Sequence, residues 1–192
     1  MKNRVARTAV TVLITLAVIA AAALAFMYSG IYNVAATAPH TGLTRWALHT
    51  IMERSVAARA DRVPDPPAAD SVMLAEGFEH YHAMCVACHG APGVERGELG
   101  RGMTPEPPDL AEEAEELGTK ELFWITRNGI KVAGMPAFGP THDDEQIWGI
   151  VAFLERLPEM SPADYRSWVD RYAASGEEGG HTHAPGTPAH DH

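Results

Sequence analysis

The sequence predicts an all-α protein, with an apolar helix at the N-terminus followed by one compact helical domain. Residues 8–28 form a long run without charge, as a membrane-crossing helix would. Near the other end, Ile147, Ile150, Val151 and Leu154 recur at helical spacing. No segment shows the alternation of a strand. A chain of 192 residues with 46% apolar content suits one modest domain with appendages.

The apolar run from Thr8 to Tyr28 contains 21 residues, which is enough to cross a bilayer core. Lys2, Arg4 and Arg7 precede it, and the next charged residue is Arg45. Positive charge tends to stay in the cytoplasm. The sequence therefore predicts a cytoplasmic N-terminus, with the rest of the chain in the periplasm, on the outer side of a bacterial inner membrane.

A cleaved signal peptide is the alternative for this segment. Its apolar region would normally run only about 7–15 residues before a small-x-small cleavage site. The candidate site Ala36-Thr37-Ala38 is followed by Pro39, which disfavours cleavage. We therefore expect residues 1–29 to remain as a single transmembrane anchor.

Residues 30–69 are predicted to be a juxtamembrane helix and a Pro-rich linker. Residues 43–60 have a loosely helical pattern, carry several arginines and include Trp46. Such a helix would suit the lipid interface, or it would pack on the domain or on a partner subunit. Val63-Pro64-Asp65-Pro66-Pro67 then reads as an extended spacer.

Residues 70–158 are predicted to form the compact domain. We expect helices over residues 71–86, 110–117 and 120–128, the last capped by Thr119 and closed by Gly129, and a final helix opened by Thr141. The region holds 6 basic and 16 acidic side chains, a net charge of −10. This charge favours positively charged partner surfaces, or simply solubility, and disfavours nucleic acid.

Cys85-Val86-Ala87-Cys88-His89 carries the chemistry of this domain. A C-x-x-C-H run is the attachment signature of a c-type haem, in which two thiols bond the porphyrin and the histidine binds the iron. Cys85 and Cys88 are the only cysteines in the chain. A structural zinc site would need about four ligands, and a thioredoxin-like motif would need a βαβ setting. A plain disulfide is the remaining alternative. The motif predicts one covalent haem c.

His89 fills one axial position of the iron, and the second needs another ligand. Met135 is the favoured candidate, because Pro136 and flanking glycines suit a tight loop that projects a thioether, which raises the reduction potential. Met103 is the main rival, since it also lies in a predicted loop. His142 would ligate only if the Met135 loop were displaced.

The chain resembles the class I c-type cytochromes, here with a single haem and a membrane anchor. The resemblance covers roughly residues 71–157 and rests on four motifs: Gly77-x-x-x-Tyr81-x-x-x-Cys85-x-x-Cys88-His89-Gly90, Pro107-Pro108-Asp109-Leu110, Leu122-Phe123-Trp124-Ile125-Thr126-Arg127-Asn128-Gly129, and Met135-Pro136-Ala137-Phe138.

This resemblance implies the class I cytochrome c fold, with helices packed around the haem. It implies that Met135 is the distal ligand and that the Pro108 carbonyl accepts the Nδ1 proton of His89. Gly77 and Tyr81 are then expected to pack against the last helix of the domain. Tyr81, Trp124 and Phe138 are expected around the haem.

Residues 159–192 are predicted to be a mostly disordered tail. Its C-terminal part is rich in Gly, Ala and Pro and contains His181, His183, His190 and His192. These histidines would bind copper, nickel or zinc loosely, or would form no more than a soluble tail.

These features predict a non-enzymatic electron-transfer protein, tethered to the membrane, that passes single electrons between respiratory-chain or periplasmic partners. A tethered subunit of a larger dehydrogenase or oxidase complex is an alternative. A haem peroxidase would need an open iron position, and a gas sensor or metal-delivery protein would use a displaceable Met135 or the histidine tail.

Overall fold

The computed structural model describes residues 2–131 and 133–178, and the chain divides into two compact units, Met1–Pro39 and His40–His192. The first unit consists mainly of helix α1, Lys2–Tyr28. By length and composition this helix could cross a membrane. The absence of charge over 21 residues is what makes it so apolar.

The second unit is a bundle of helices joined by loops. Its elements are α2 (Gly42–Ala60), α3 (Ser71–His80), a π-helical turn (Tyr81–Cys85), α4 (Val86–His89), α5 (Glu98–Arg101), α6 (Leu110–Glu116), α7 (Thr119–Asn128), α8 (Asp144–Leu154), a 3₁₀ turn (Leu157–Glu159) and α9 (Pro162–Glu178). Among the described residues there is no strand, only two isolated bridges. The predicted all-α class is confirmed.

Two predicted helix caps are wrong by one or two residues. Gly118, rather than Thr119, occupies the N-cap of α7, where its N–H donates to Glu121. The Thr119 hydroxyl instead donates to Glu155. Helix α8 starts after Asp143, whose carboxylate accepts the Gln146 N–H, and not at Thr141. In α7 the Glu121 carboxylate accepts the N–H of the N-cap residue itself, and in α8 the Asp143 carboxylate accepts a free N–H of the first turn.

Helices α3 and α8 cross at the centre of the unit, where Gly77 lies directly on the backbone of Gly149. Around this crossing, Phe78, Tyr81 and Phe153 are almost fully buried. Their rings make edge-on or tilted contacts at 5.3–5.4 Å between centroids. The expected packing of the Gly77 and Tyr81 face on the last helix of the domain is therefore observed.

Helix α2 belongs to the compact unit, because one of its faces packs on α7. Val56 and Ala60 on that face are buried, and Val63 joins a core cluster with Phe123. The Arg59 guanidinium lies 5.9 Å from the centre of the Trp124 ring. Val63 therefore does not act as an exposed spacer residue.

The prediction of a mostly disordered tail from residue 159 is wrong for its first part. Residues 162–178 form helix α9, and Tyr165 on it is fully buried. Trp168 packs against Phe78, at 5.4 Å between ring centroids. The apolar residues 165, 168, 169 and 172 follow helical spacing, which indicates a helix. The prediction of disorder extended the Gly-rich composition of the later residues to this segment. The four tail histidines lie outside the described residues.

Candidate cofactor site

Cys85, Cys88 and His89 lie on one continuous helical run at the end of α3. Tyr81–Cys85 forms a π-helical turn and Val86–His89 returns to α-helix. A single π-turn inside an α-helix widens it locally and is frequent at functional sites. Gly90 ends the run in a left-handed conformation (φ +73°), which favours glycine. Both thiols are free, so they are not joined as a disulfide.

The His89 ring is oriented by the chain that follows it. Its Nδ1 lies 2.9 Å from the carbonyl oxygen of Pro108, at the end of the loop over residues 90–109. A carbonyl can only accept, so Nδ1 carries the proton and Nε2 keeps its lone pair. Burial lowers the pKa of His89, with the charge of Arg96 acting in the same direction. The ring is therefore neutral at pH 7 and able to bind a metal.

The loop over residues 90–109 is held tightly against the motif. The Tyr81 hydroxyl donates to the Gly90 carbonyl at 2.7 Å, and this pair is buried. A Cβ on Gly100 would lie only 2.4 Å from the Cys88 carbonyl oxygen, so the loop backbone rests on the motif backbone. Burial raises the pKa of the Cys85 thiol to about 12.

Met135 lies in a tight loop that is tied back to α7. Met135 and Ile130 form an isolated bridge, and Phe138 donates its N–H to the Thr126 carbonyl at 3.2 Å. Gly129 and Gly134 have φ of +65° and +73°. Met135 therefore lies in a tight loop, as the sequence predicted.

The rival Met103 lies close to the same loop. A Cβ built on Gly134 would lie 2.9 Å from the Met103 Cε, so the Met103 side chain covers the residue next to Met135. Both methionines are half-buried. Proximity alone therefore does not separate the two candidates.

Trp124 and Phe138, which were expected around the haem, make contacts with side chains outside the attachment motif. Trp124 and Phe138 are half-buried, and Trp124 lies beneath Arg59 while Phe138 makes an edge contact with His142 at 5.9 Å. His142 also contacts the His80 ring at 4.9 Å. Burial, and secondarily His142, lowers the pKa of His80.

Two features of this region carried no recognisable sequence signal. Arg96 and Glu106 form an ion pair that bridges the two arms of the loop ending at Pro108, and the Arg96 Nε is buried without a partner among the described residues. His82 hydrogen-bonds the Tyr165 hydroxyl at 2.8 Å, which joins α9 to the motif-bearing helix. The first pair depends on how the loop folds back on itself and the second joins distant segments, so neither follows from local sequence.

The donor set fits a covalently bound haem. Two free thiols lie one helical turn apart, followed directly by an imidazole whose Nδ1 proton is already engaged. Within residues 2–131 and 133–178, no group of three or more His, Cys, Asp or Glu side chains could hold a metal ion.

The helical fold and this site define residues 72–154 as a class I c-type cytochrome domain, which binds one covalent haem c. The same residues match the family model described as cytochrome c oxidase, cbb3-type, subunit III. The match covers less than half of the chain and leaves out α1, α2 and α9. A search of curated proteins finds no match to the chain. A cytochrome c domain implies haem-based electron transfer.

Proposed function

We propose that the protein is a membrane-tethered, periplasmic electron-transfer protein, in which Cys85 and Cys88 hold one haem c and His89 and Met135 are the axial ligands of its iron. The observation that carries this proposal is the 2.9 Å contact between His89 Nδ1 and the Pro108 carbonyl, beside two free thiols. It presents an oriented, neutral imidazole where the attachment motif needs one.

When bound, a haem c supplies a ferrous–ferric couple. The chain's part is to hold two ligands in place in both oxidation states. The Pro108 carbonyl fixes the His89 ring, and the backbone bonds of the loop over residues 129–139 fix Met135. With both ligands held in this way, the protein would rearrange little when the charge changes, and the two ligands would leave no position open for peroxidase chemistry. This supports a carrier over an enzyme.

Helix α1 supports tethering, because it is long and apolar enough to span a bilayer. The positive charge before it supports a cytoplasmic N-terminus and a periplasmic haem domain. The net charge of −10 on residues 70–158 favours brief encounters with positively charged partner surfaces.

A permanent place in a larger complex is the second candidate. The description of the matching family names a subunit of a cytochrome c oxidase, which supports a role as an electron-entry subunit of an oxidase. Purification in mild detergent distinguishes the two, because a subunit co-purifies with stoichiometric partners whereas a mobile carrier does not.

Met135→Ala tests the assignment of the second ligand, with Met103→Ala as the matched control. We expect the Met135 variant to lose the far-red sulfur-to-iron band of the ferric protein and to have a lower reduction potential, since a thioether favours ferrous iron. The Met103 variant should keep both properties. The reverse pattern would assign the ligand to Met103.

The haem assignment itself is tested by replacing both motif cysteines with alanine. We expect almost no covalently haem-bearing protein, measured by mass and by Soret absorption of the denatured chain. Wild-type levels of covalent haem in this variant would contradict the proposal.

A further inference from the structure

We propose that the outer face of helix α2 lies in the lipid interface of the membrane, so that the cytochrome domain rests on the bilayer through this helix. The proposal goes beyond electron transfer and rests on the proposed tethering by α1. It assigns the outer face one occupant, the headgroup region of a phospholipid bilayer.

The two faces of α2 differ sharply. The inner face carries Val56 and Ala60, both 4% exposed, and is covered by the domain. On the outer side Leu43, Trp46 and Ile51 are 73, 66 and 65% exposed. Leu43 lies three residues from Trp46 and eight from Ile51, so these three apolar side chains share one broad side of the helix, with Leu43 between the other two.

The composition of this outer face suits a bilayer interface. Trp46 provides an amphipathic ring of the kind that concentrates at the headgroup level. Arg54 follows on the same face, where its aliphatic stem can lie along the apolar surface while its guanidinium reaches lipid phosphate. Residues 40–62 hold four arginines and two acidic residues, whereas residues 70–158 have a net charge of −10. The α2 region is therefore the part of this unit that anionic lipid would attract.

The chain length between the helices limits how far α2 can lie from the end of α1. Only 13 residues separate Tyr28, the end of α1, from Gly42, the start of α2. At roughly 3.3–3.6 Å per residue even a fully extended linker reaches only about 45 Å. A bilayer is therefore always within reach of this face, while a protein partner must first be present. This favours lipid over a second protein.

The test measures how fast a charged, membrane-impermeant maleimide alkylates an introduced cysteine. Ile51→Cys and Trp46→Cys report on the outer face of α2. Val72→Cys on α3 is the matched control, since Val72 is also apolar and 63% exposed. Each full-length holoprotein is placed singly in nanodiscs of phosphatidylcholine and phosphatidylglycerol, and each rate is divided by that of the same variant in denaturant. Soret absorption verifies that every variant is folded and loaded.

We expect alkylation at positions 46 and 51 to be several-fold slower than at position 72. Equal rates at the three positions would overturn the proposal. Protection that appears in native membranes but not in nanodiscs would also overturn it, since the occupant would then be a protein. Failure of the chain to incorporate into nanodiscs would instead refute the tethering, and absence of a haem spectrum in the unsubstituted chain would refute the cofactor assignment, so these failures remain distinguishable.

Discussion

Gly77→Ala should be the most damaging small substitution in the domain, because it acts where two backbones touch. A Cβ at this position would lie 1.9 Å from the Gly149 carbonyl oxygen and 2.4 Å from its carbonyl carbon. Real Cβ atoms essentially never come closer than 3.0 Å to other atoms, so the two must separate by at least 1.1 Å. No side-chain rotation can relieve this contact, since both partners are backbone atoms.

The size of the effect follows from two opposing terms. Alanine favours the helix over glycine by about 1 kcal/mol. Overpacking a core costs about 1–3 kcal/mol when side chains can adjust, and separating α3 from α8 also loosens the contacts of Phe78 and Phe153. We place the overpacking cost at or above the top of that range, so the net loss should be roughly 2–4 kcal/mol.

Urea unfolding of the holoprotein, followed by far-UV circular dichroism, measures this loss. With a slope of about 2 kcal/mol/M, the middle of the usual range for small proteins, the midpoint should fall by roughly 1–2 M. Gly149→Ala is the control on the opposite helix, since its nearest atom is the Met73 carbonyl oxygen at 3.1 Å. We expect it to change stability by about 1 kcal/mol at most. A Gly77 variant as stable as the Gly149 variant would refute the reasoning.

Three further substitutions test other parts of the site. Tyr81→Phe should lower the free energy of unfolding by about 1–2 kcal/mol, because it leaves the buried Gly90 carbonyl without its donor. An unchanged urea midpoint would mean that water replaces the hydroxyl. Gly129→Ala should weaken the far-red sulfur-to-iron band, since its Cβ would lie 2.6 Å from the Met135 carbonyl oxygen in a backbone with φ +65°; a full-strength band would show that the loop does not hold the ligand. His80 is buried enough to lower its pKa below the usual 6.5, so the unfolded chain takes up its proton first and stability should fall as pH drops below about 6.5. His80→Gln should reduce the pH dependence of the unfolding midpoint between about pH 5 and 7.5. An unchanged pH dependence would exclude His80 as its source.

Local sequence signals accounted for the cofactor motif and for most helices. The two thiols and the imidazole are adjacent in the chain, so their placement on one helical turn depends only on local backbone geometry. The uncharged run that forms α1 is equally local. Helix starts were less accurate, because the caps at Gly118 and Asp143 depend on which nearby carboxylate reaches the free N–H groups.

The placement of α9 and α2 was not predictable in the same way. Tyr165 is buried against residues that include Phe78 and His82, which lie more than 80 residues earlier in the chain. The sequence left two positions open for α2, and the fold covers one face of the helix while leaving Leu43 and Ile51 exposed on the other.

The sequence by itself determined the haem attachment motif, the apolar N-terminal helix and the all-helical class, because each follows from residues that are neighbours along the chain. Tertiary structure alone decided that α9 completes the core and that Met103 lies beside the Met135 loop. Such contacts join distant segments, and their formation depends on the shape of the packed surfaces, which no single stretch of sequence encodes.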